Sequence, residues 1–224
     1  LVTAKHPPSV FVEPFAGGAM AGLTAAAEGL AEKVFLCELD ADVAAVWATI
    51  FHGTDTDVRW LCERITGFEV NLDSVQLVLG INPKSDKGKA FRTIVKNRMQ
   101  RGGIMAVGAG LIKSGEAGRG LHSRWYPETL VKRIEALRTL RDKITFKQGD
   151  AFAVVKRFAN DPNAFFYIDP PYTAGGKQAG TRLYAHNDVD HEKLFALMAT
   201  VRGSVMMSYD ESLEVRKMAR QYSF

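Results

Sequence analysis

The stretch Val10-Phe-Val-Glu-Pro-Phe-Ala-Gly-Gly-Ala-Met-Ala-Gly22 decides the fold. It opens as an apolar run, Val10–Phe15, turns on paired glycines and passes into an alanine-rich stretch, Ala19–Gly29, that closes on glycine as helices often do. Glycines in such a turn let the backbone approach a ligand closely, and the helix that follows presents unbonded N–H groups to it. The lysine of a triphosphate-binding loop is missing, which excludes that class.

Working outward, four more short apolar runs read as buried parallel strands: Val34–Leu39, Ile144–Phe146, Phe165–Ile168 and Ser204–Ser208. Helical patterns separate them. Asp42–Phe51 spaces Val43, Val46, Trp47 and Ile50 at helical intervals. Pro127–Asp142 starts on proline and carries Leu130, Ile134, Leu137 and Leu140 on one face, and His191–Arg202 carries Leu194, Phe195, Leu197 and Met198. Strands alternating with helices imply an α/β sheet built by right-handed crossovers. The alternation fails from about Phe51 to Pro127, too long for one connection. The expected organisation is a sheet domain in two parts, 1–50 and 128–224, with an inserted subdomain at 51–127, helical first and then glycine-rich.

The chain has 224 residues and a net charge of +4, unevenly spread. Lys84–Arg124 holds ten basic and two acidic residues, so the remainder is net acidic. A basic segment on an acidic body suggests a polyanion-binding surface, although a solvated lysine-rich helix is the commoner origin of a charge run. Two cysteines, Cys37 and Cys62, and five histidines show no metal-ligand spacing, so reduced thiols and no metal are expected. No apolar run is long enough for a bilayer, and no signal-peptide pattern opens the chain. It starts at Leu1 and stops at Phe224 just after a helical pattern, and is expected to be part of a longer protein.

Two strand ends carry chemistry. The second ends at Glu38, about twenty residues beyond Gly18, where an acid typically accepts both ribose hydroxyls of an adenosine moiety. Asp40 and Asp42 are alternatives, and Asp42 also suits the start of the next helix. The fourth strand runs into Asp169-Pro170-Pro171-Tyr172. Two prolines cannot continue a central strand, so Asp169 and Tyr172 project from its carboxyl end on a stiff platform. Asp150 closes the third strand and suits a helix N-cap, and Ser208-Tyr209-Asp210 closes the fifth at the border of this region.

An Asp-Pro-Pro-Tyr tetrapeptide after an apolar strand, downstream of a Glu-Pro-Phe-x-Gly-Gly turn with an insert between them, resembles the Dam-like, phage-type adenine-N6 DNA methyltransferases. The likeness spans about Val10 to Asp210 and extends to Asn97-Arg98 and Ser123-Arg124-Trp125 in the insert. It implies a Rossmann-like methyltransferase sheet with a small, mostly helical target-recognition subdomain. It also implies S-adenosylmethionine as cofactor, duplex DNA as partner and a bacterial or phage-encoded cytoplasmic enzyme. The implied cofactor residues are Glu13, Pro14, Phe15, Ala16, Gly17, Gly18, Glu38, Leu39, Asp150, Ala151, Phe152 and Asp169. Asp150 would approach the cofactor's adenine amino group. The implied catalytic group is Asp169, Pro170, Pro171 and Tyr172, acting on an adenine flipped from the duplex. Candidate DNA contacts are Lys96, Arg98, Arg101, Lys113, Arg119 and Arg124 in the insert, and Lys177, Arg182 and Tyr184 in the loop after Tyr172. Members of this family usually carry a further cofactor-binding segment with a lysine before the first strand, where this sequence has only Leu1–Ser9. The competing readings are an adenine-N6 enzyme acting on RNA and a DNA-binding relative without activity.

Overall fold

The structure, a computed structural model, describes residues 7–105, 109–115, 118–172 and 189–224. The chain divides into two compact units, Leu1–Asp40 with Asp142–Phe224, and Ala41–Arg141.

The first unit is built on five parallel strands: β1 (Val10–Glu13), β2 (Lys33–Glu38), β3 (Ile144–Gln148), β4 (Ala164–Ile168) and β5 (Ser204–Met207), in the order β3-β2-β1-β4-β5. β1 ends at Glu13 because Pro14 has no N–H for the ladder. From β1 the chain steps outward to β2 and β3, then returns to β4 on the other side. The strand order therefore reverses between β1 and β4, and the carboxyl ends of these strands border the crevice where open α/β sheets bind ligands.

The helices of this unit among the described residues, numbered along the whole chain, are α1 (Met20–Ala27), α7 (Ala151–Phe158), α8 (His191–Met198) and α9 (Leu213–Gln221). One face of the sheet buries Val12, Phe35, Cys37, Phe166 and Ile168 against Val154 and Val155 of α7 and Leu194 and Met198 of α8. A fully buried side chain of this size stabilises by about 1.5–3 kcal/mol, so this layer anchors the unit. Gly22, Ala25 and Ala26 are the buried residues of α1. A Cβ on Gly22 would come within 2.5 Å of Leu36 Cδ2, so only glycine allows α1 this close to β2.

The second unit holds α2 (Ala41–Phe51), α3 (Asp55–Thr66), α4 (Leu72–Gly80), α5 (Asp86–Met99) and α6 (Pro127–Arg138). Its core joins Trp47 and Ile50 of α2, Leu61 and Ile65 of α3, Phe91, Val95 and Met99 of α5, and Leu130 and Ile134 of α6. Thr54 and Asp57 form a reciprocal cap at the start of α3. The Arg138 guanidinium donates to the carbonyls of Ile50 and Gly53 at 2.7 Å, holding the end of α2. Where 51–127 was expected as the insert, the compact unit thus begins at Ala41 and ends at Arg141. α2 packs mainly on α5, and α6 on α3, so both helices belong with it. Cys37 and Cys62 are both free thiols. Among the described residues no helix is long and apolar enough to cross a membrane.

Candidate active site

The turn after β1 is folded by its own backbone and by two carboxylates. Ala16 N–H donates to the Cys37 carbonyl at 2.9 Å, fastening the turn to β2. Gly17 takes φ +47°, a conformation that disfavours other residues. A Cβ built on Gly17 or Gly18 meets no atom within 4 Å, so the turn is an open cradle. Glu38, at the end of β2, accepts from Gly17 N–H at 2.7 Å and from Asp40 N–H at 2.8 Å. Burial raises its pKa, and these amides oppose the shift. Asp42 instead receives Arg92 at 2.8 Å inside the second unit.

Glu13 is 3% exposed, and its carboxylate accepts from Gly22 N–H in the first turn of α1 at 2.7 Å. Burial pushes its pKa up to about 7, with Asp169 adding to the rise and the Gly22 and Ala21 amides opposing it. Its carboxylate supplies what the α1 N-cap, Ala19, lacks, a side-chain acceptor for the first-turn amides. Pro14, Phe15 and Ala16 follow it around the turn, and Leu39, just beyond β2, is 50% exposed.

Asp150 caps α7, accepting from Phe152 N–H at 3.3 Å and Ala153 N–H at 3.1 Å. Ala151 is buried beneath it, and the Phe152 ring lies 5.5 Å from Lys193 Nζ. Cys37 donates to the Gly149 carbonyl at 3.3 Å, and burial pushes its thiol up to about 12, so it stays protonated.

At the end of β4 the Tyr172 hydroxyl donates to Asp169 Oδ1 at 2.6 Å and lies 2.8 Å from Ser208 Oγ. Burial, with the Asp169 bond next, pushes the Tyr172 phenol up to about 12. No other hydrogen bond from a described residue reaches Asp169. Pro170 is buried and Pro171 half-buried. Behind the Tyr172 ring lies Tyr209, centroids 6.2 Å apart, itself 3.0 Å from His191 Nδ1 and packed on Phe195. Sequence reading did not single out Tyr167 or His191 for this site. Tyr167 precedes Asp169 by two positions, and strand alternation could have placed both on one face. Its phenol pKa is raised by burial and then by Asp169 and Glu13. His191 sits in the first turn of α8 and gave no signal.

In the second unit Lys96 and Arg98 lie near the end of α5, Arg101 in the 3-10 turn after it, Lys113 and Arg119 in the loop, and Arg124 in the short helix before Trp125. None of the six pairs with a carboxylate among the described residues. Arg124 donates to the Gln100 carbonyl at 3.2 Å, and Arg119 to Tyr126 Oη at 2.9 Å. Burial and then the neighbouring Arg124 and Arg133 lower the pKa of Arg98. Lys177, Arg182 and Tyr184 lie outside the described residues. Among the described residues no group of three or more His, Cys, Asp or Glu side chains is arranged to hold a metal ion.

No curated protein matches the chain. A family model, D12 class N6 adenine-specific DNA methyltransferase, matches residues 4–224. With nearly the whole chain matched, and the acidic strand end and Asp-Pro-Pro-Tyr platform at the sheet's switch point, the chain belongs to the D12 class of N6 adenine-specific DNA methyltransferases.

Proposed function

We propose that this S-adenosylmethionine-dependent DNA adenine methyltransferase acts on an adenine flipped from duplex DNA, with Asp169 and Pro170 holding its amino group. The supporting observation is the Asp169 carboxylate at the switch point, one oxygen fixed by Tyr172 and the other without a hydrogen bond from a described residue. The adenine amino lone pair is delocalised into the ring and is a poor nucleophile. Asp169 Oδ2 accepts one amino proton and the Pro170 carbonyl the other, which turns the lone pair out of conjugation. The effect is positioning and electrostatics; no strong base is needed, since the nitrogen becomes acidic only after it is methylated and its proton then leaves to solvent. The Tyr172 ring stacks on the flipped base, a contact worth about 1–3 kcal/mol in single-strand binders.

The residues around the turn fit the cofactor. Gly17 and Gly18 leave an open cradle, and Glu38 keeps lone pairs beyond its two amide bonds for the ribose hydroxyls. Leu39, exposed after a buried strand, offers an apolar contact, while Asp150, Ala151 and Phe152 frame the adenine end. When bound, S-adenosylmethionine supplies an electrophilic methyl group on a sulfonium. Glu13 holds α1 against the turn by accepting from Gly22 N–H, and Pro14, Phe15 and Ala16 follow it around the cofactor cradle.

The 51–127 segment is the target-recognition part, and Lys96, Arg98, Arg101, Lys113, Arg119 and Arg124, none paired with a carboxylate among the described residues, meet DNA phosphates or base edges. A cytoplasmic setting goes with this reading, because cofactor and DNA meet there. Transfer of labelled methyl from S-adenosylmethionine to mixed-sequence duplex DNA, followed by digestion to nucleosides, tests it. Label on N6-methyladenosine in duplex DNA and its loss in Asp169→Ala, with DNA binding retained, is the expected result. Turnover by Asp169→Ala near the parent rate removes Asp169 from the chemistry, and label found only in RNA changes the acceptor.

A further inference from the structure

We propose that Ser208 is a positioning residue for methyl transfer, acting through the Tyr172 hydroxyl to fix the Asp169 carboxylate; this rests on the role given to Asp169 above. A phenol has one proton. Tyr172 spends it on Asp169 Oδ1 at 2.6 Å, so at its 2.8 Å contact with Ser208 Oγ it is the acceptor, and Ser208 donates. The bonds run one way, from serine to phenol to carboxylate, and such chains polarise one another. The order holds across the working pH range because the phenol keeps its proton to about 12.

Both ends of the chain are set by the sheet. Ser208 N–H donates to the Ile168 carbonyl at 2.8 Å, continuing the β4–β5 ladder by one residue, and Asp169 is the residue after Ile168. The donor and the carboxylate therefore stand on adjacent strand ends, and Tyr172 closes the gap between them. An aspartate at a strand end otherwise turns about two side-chain bonds. With Oδ1 tied, the carboxylate has one orientation and presents Oδ2 to the incoming amino group. Ser208 also hydrogen-bonds the Tyr167 phenol, whose pKa burial raises and this bond lowers, and its contribution to Asp169 passes through Tyr172.

Kinetics of Ser208→Ala, Tyr172→Phe, the double variant and Ser208→Thr on duplex DNA, beside Asp169→Ala, test this. Tyr172→Phe keeps the ring for stacking and removes only the hydroxyl. Ser208→Ala and Tyr172→Phe should each lower kcat about tenfold, the loss of one hydrogen bond to the reacting group, with KM for DNA changed less than about twofold. Ser208→Thr should restore most of the rate. The double variant should be no slower than Tyr172→Phe, because the serine has nothing left to act through. 2-Aminopurine at the target position should report base flipping unchanged in all four. Losses that multiply in the double variant, a loss carried by KM, or Ser208→Ala turning over like the parent would each overturn the proposal. An inactive Asp169→Ala beside multiplying losses refutes the role of Ser208 alone, whereas an active Asp169→Ala refutes the reading beneath it.

Discussion

Glu13→Gln should make the protein more stable at neutral pH and leave it little changed in acid. Glu13 is 3% exposed and its pKa is pushed from 4.5 up to about 7, first by burial and then by the charge of Asp169. The folded state holds this proton more tightly than the unfolded chain does. Its contribution is complete below about pH 4.5 and is lost as pH rises through about 7, where the folded protein must carry a buried charge. The interval corresponds to about 3 kcal/mol. Glutamine cannot ionise and keeps an oxygen for the Gly22 amide, so the variant escapes the loss. Urea unfolding followed by far-UV circular dichroism at intervals from pH 4.5 to 8 reads the difference, with hydrogen exchange at Val12 and Gly22 localising it. The stability gap between variant and parent should be near zero at pH 4.5 and widen toward pH 8. A gap that stays constant across this range would refute the reasoning, because it would mean that Glu13 titrates alike in folded and unfolded chains.

Other substitutions probe the same elements. Gly22→Ala places a methyl 2.5 Å from Leu36 Cδ2 and 2.6 Å from Glu13 Oε2, so it should destabilise by about 1–3 kcal/mol and weaken cofactor binding, both measurable by thermal melts with and without cofactor. Asp150→Ala should cost about 1 kcal/mol through the lost cap of α7, whereas Asp150→Asn keeps the cap. If the Asp150 carboxylate also binds cofactor, calorimetric titration should show both variants weakened alike. Arg98→Ala should reduce the slope of log affinity against log salt for duplex DNA by about 1 if that guanidinium meets a phosphate, and leave it unchanged if it does not.

The sheet was legible because parallel strands covered on both faces leave continuous apolar runs, and Val34–Cys37 and Phe165–Ile168 are such runs. The turn and the Asp-Pro-Pro-Tyr platform were legible because glycine and proline act through their own backbones. The limits of the second unit were not. The spacing in Asp42–Phe51 shows that Trp47 and Ile50 face a core but not which core, and only the packing of α2 on α5 decides it. Gly22 did carry an unread signal: glycine inside an alanine-rich helix costs about 1 kcal/mol relative to alanine, so its presence there implies a close approach. The contact of Tyr172 with Ser208 spans 36 residues and depends on β4 lying beside β5, which no local pattern encodes.

Three acids, Glu38, Glu13 and Asp169, stand at or just past the ends of the adjacent strands β2, β1 and β4, and the way each is satisfied separates their tasks. Burying a carboxylate is costly unless donors meet it. Glu13 and Glu38 are met by backbone amides of the turn and of the first turn of α1, so their acceptor oxygens shape the polypeptide. Neither could be removed without freeing an amide that the turn needs bound. Asp169 is met by a side-chain hydroxyl on one oxygen, and no backbone amide of a described residue bonds it. In the mechanism proposed above, that difference suits it to take up a substrate amino group while the amides of the turn stay bound. Its neighbour Glu13 differs again: burial first, and then Asp169, raise the Glu13 pKa.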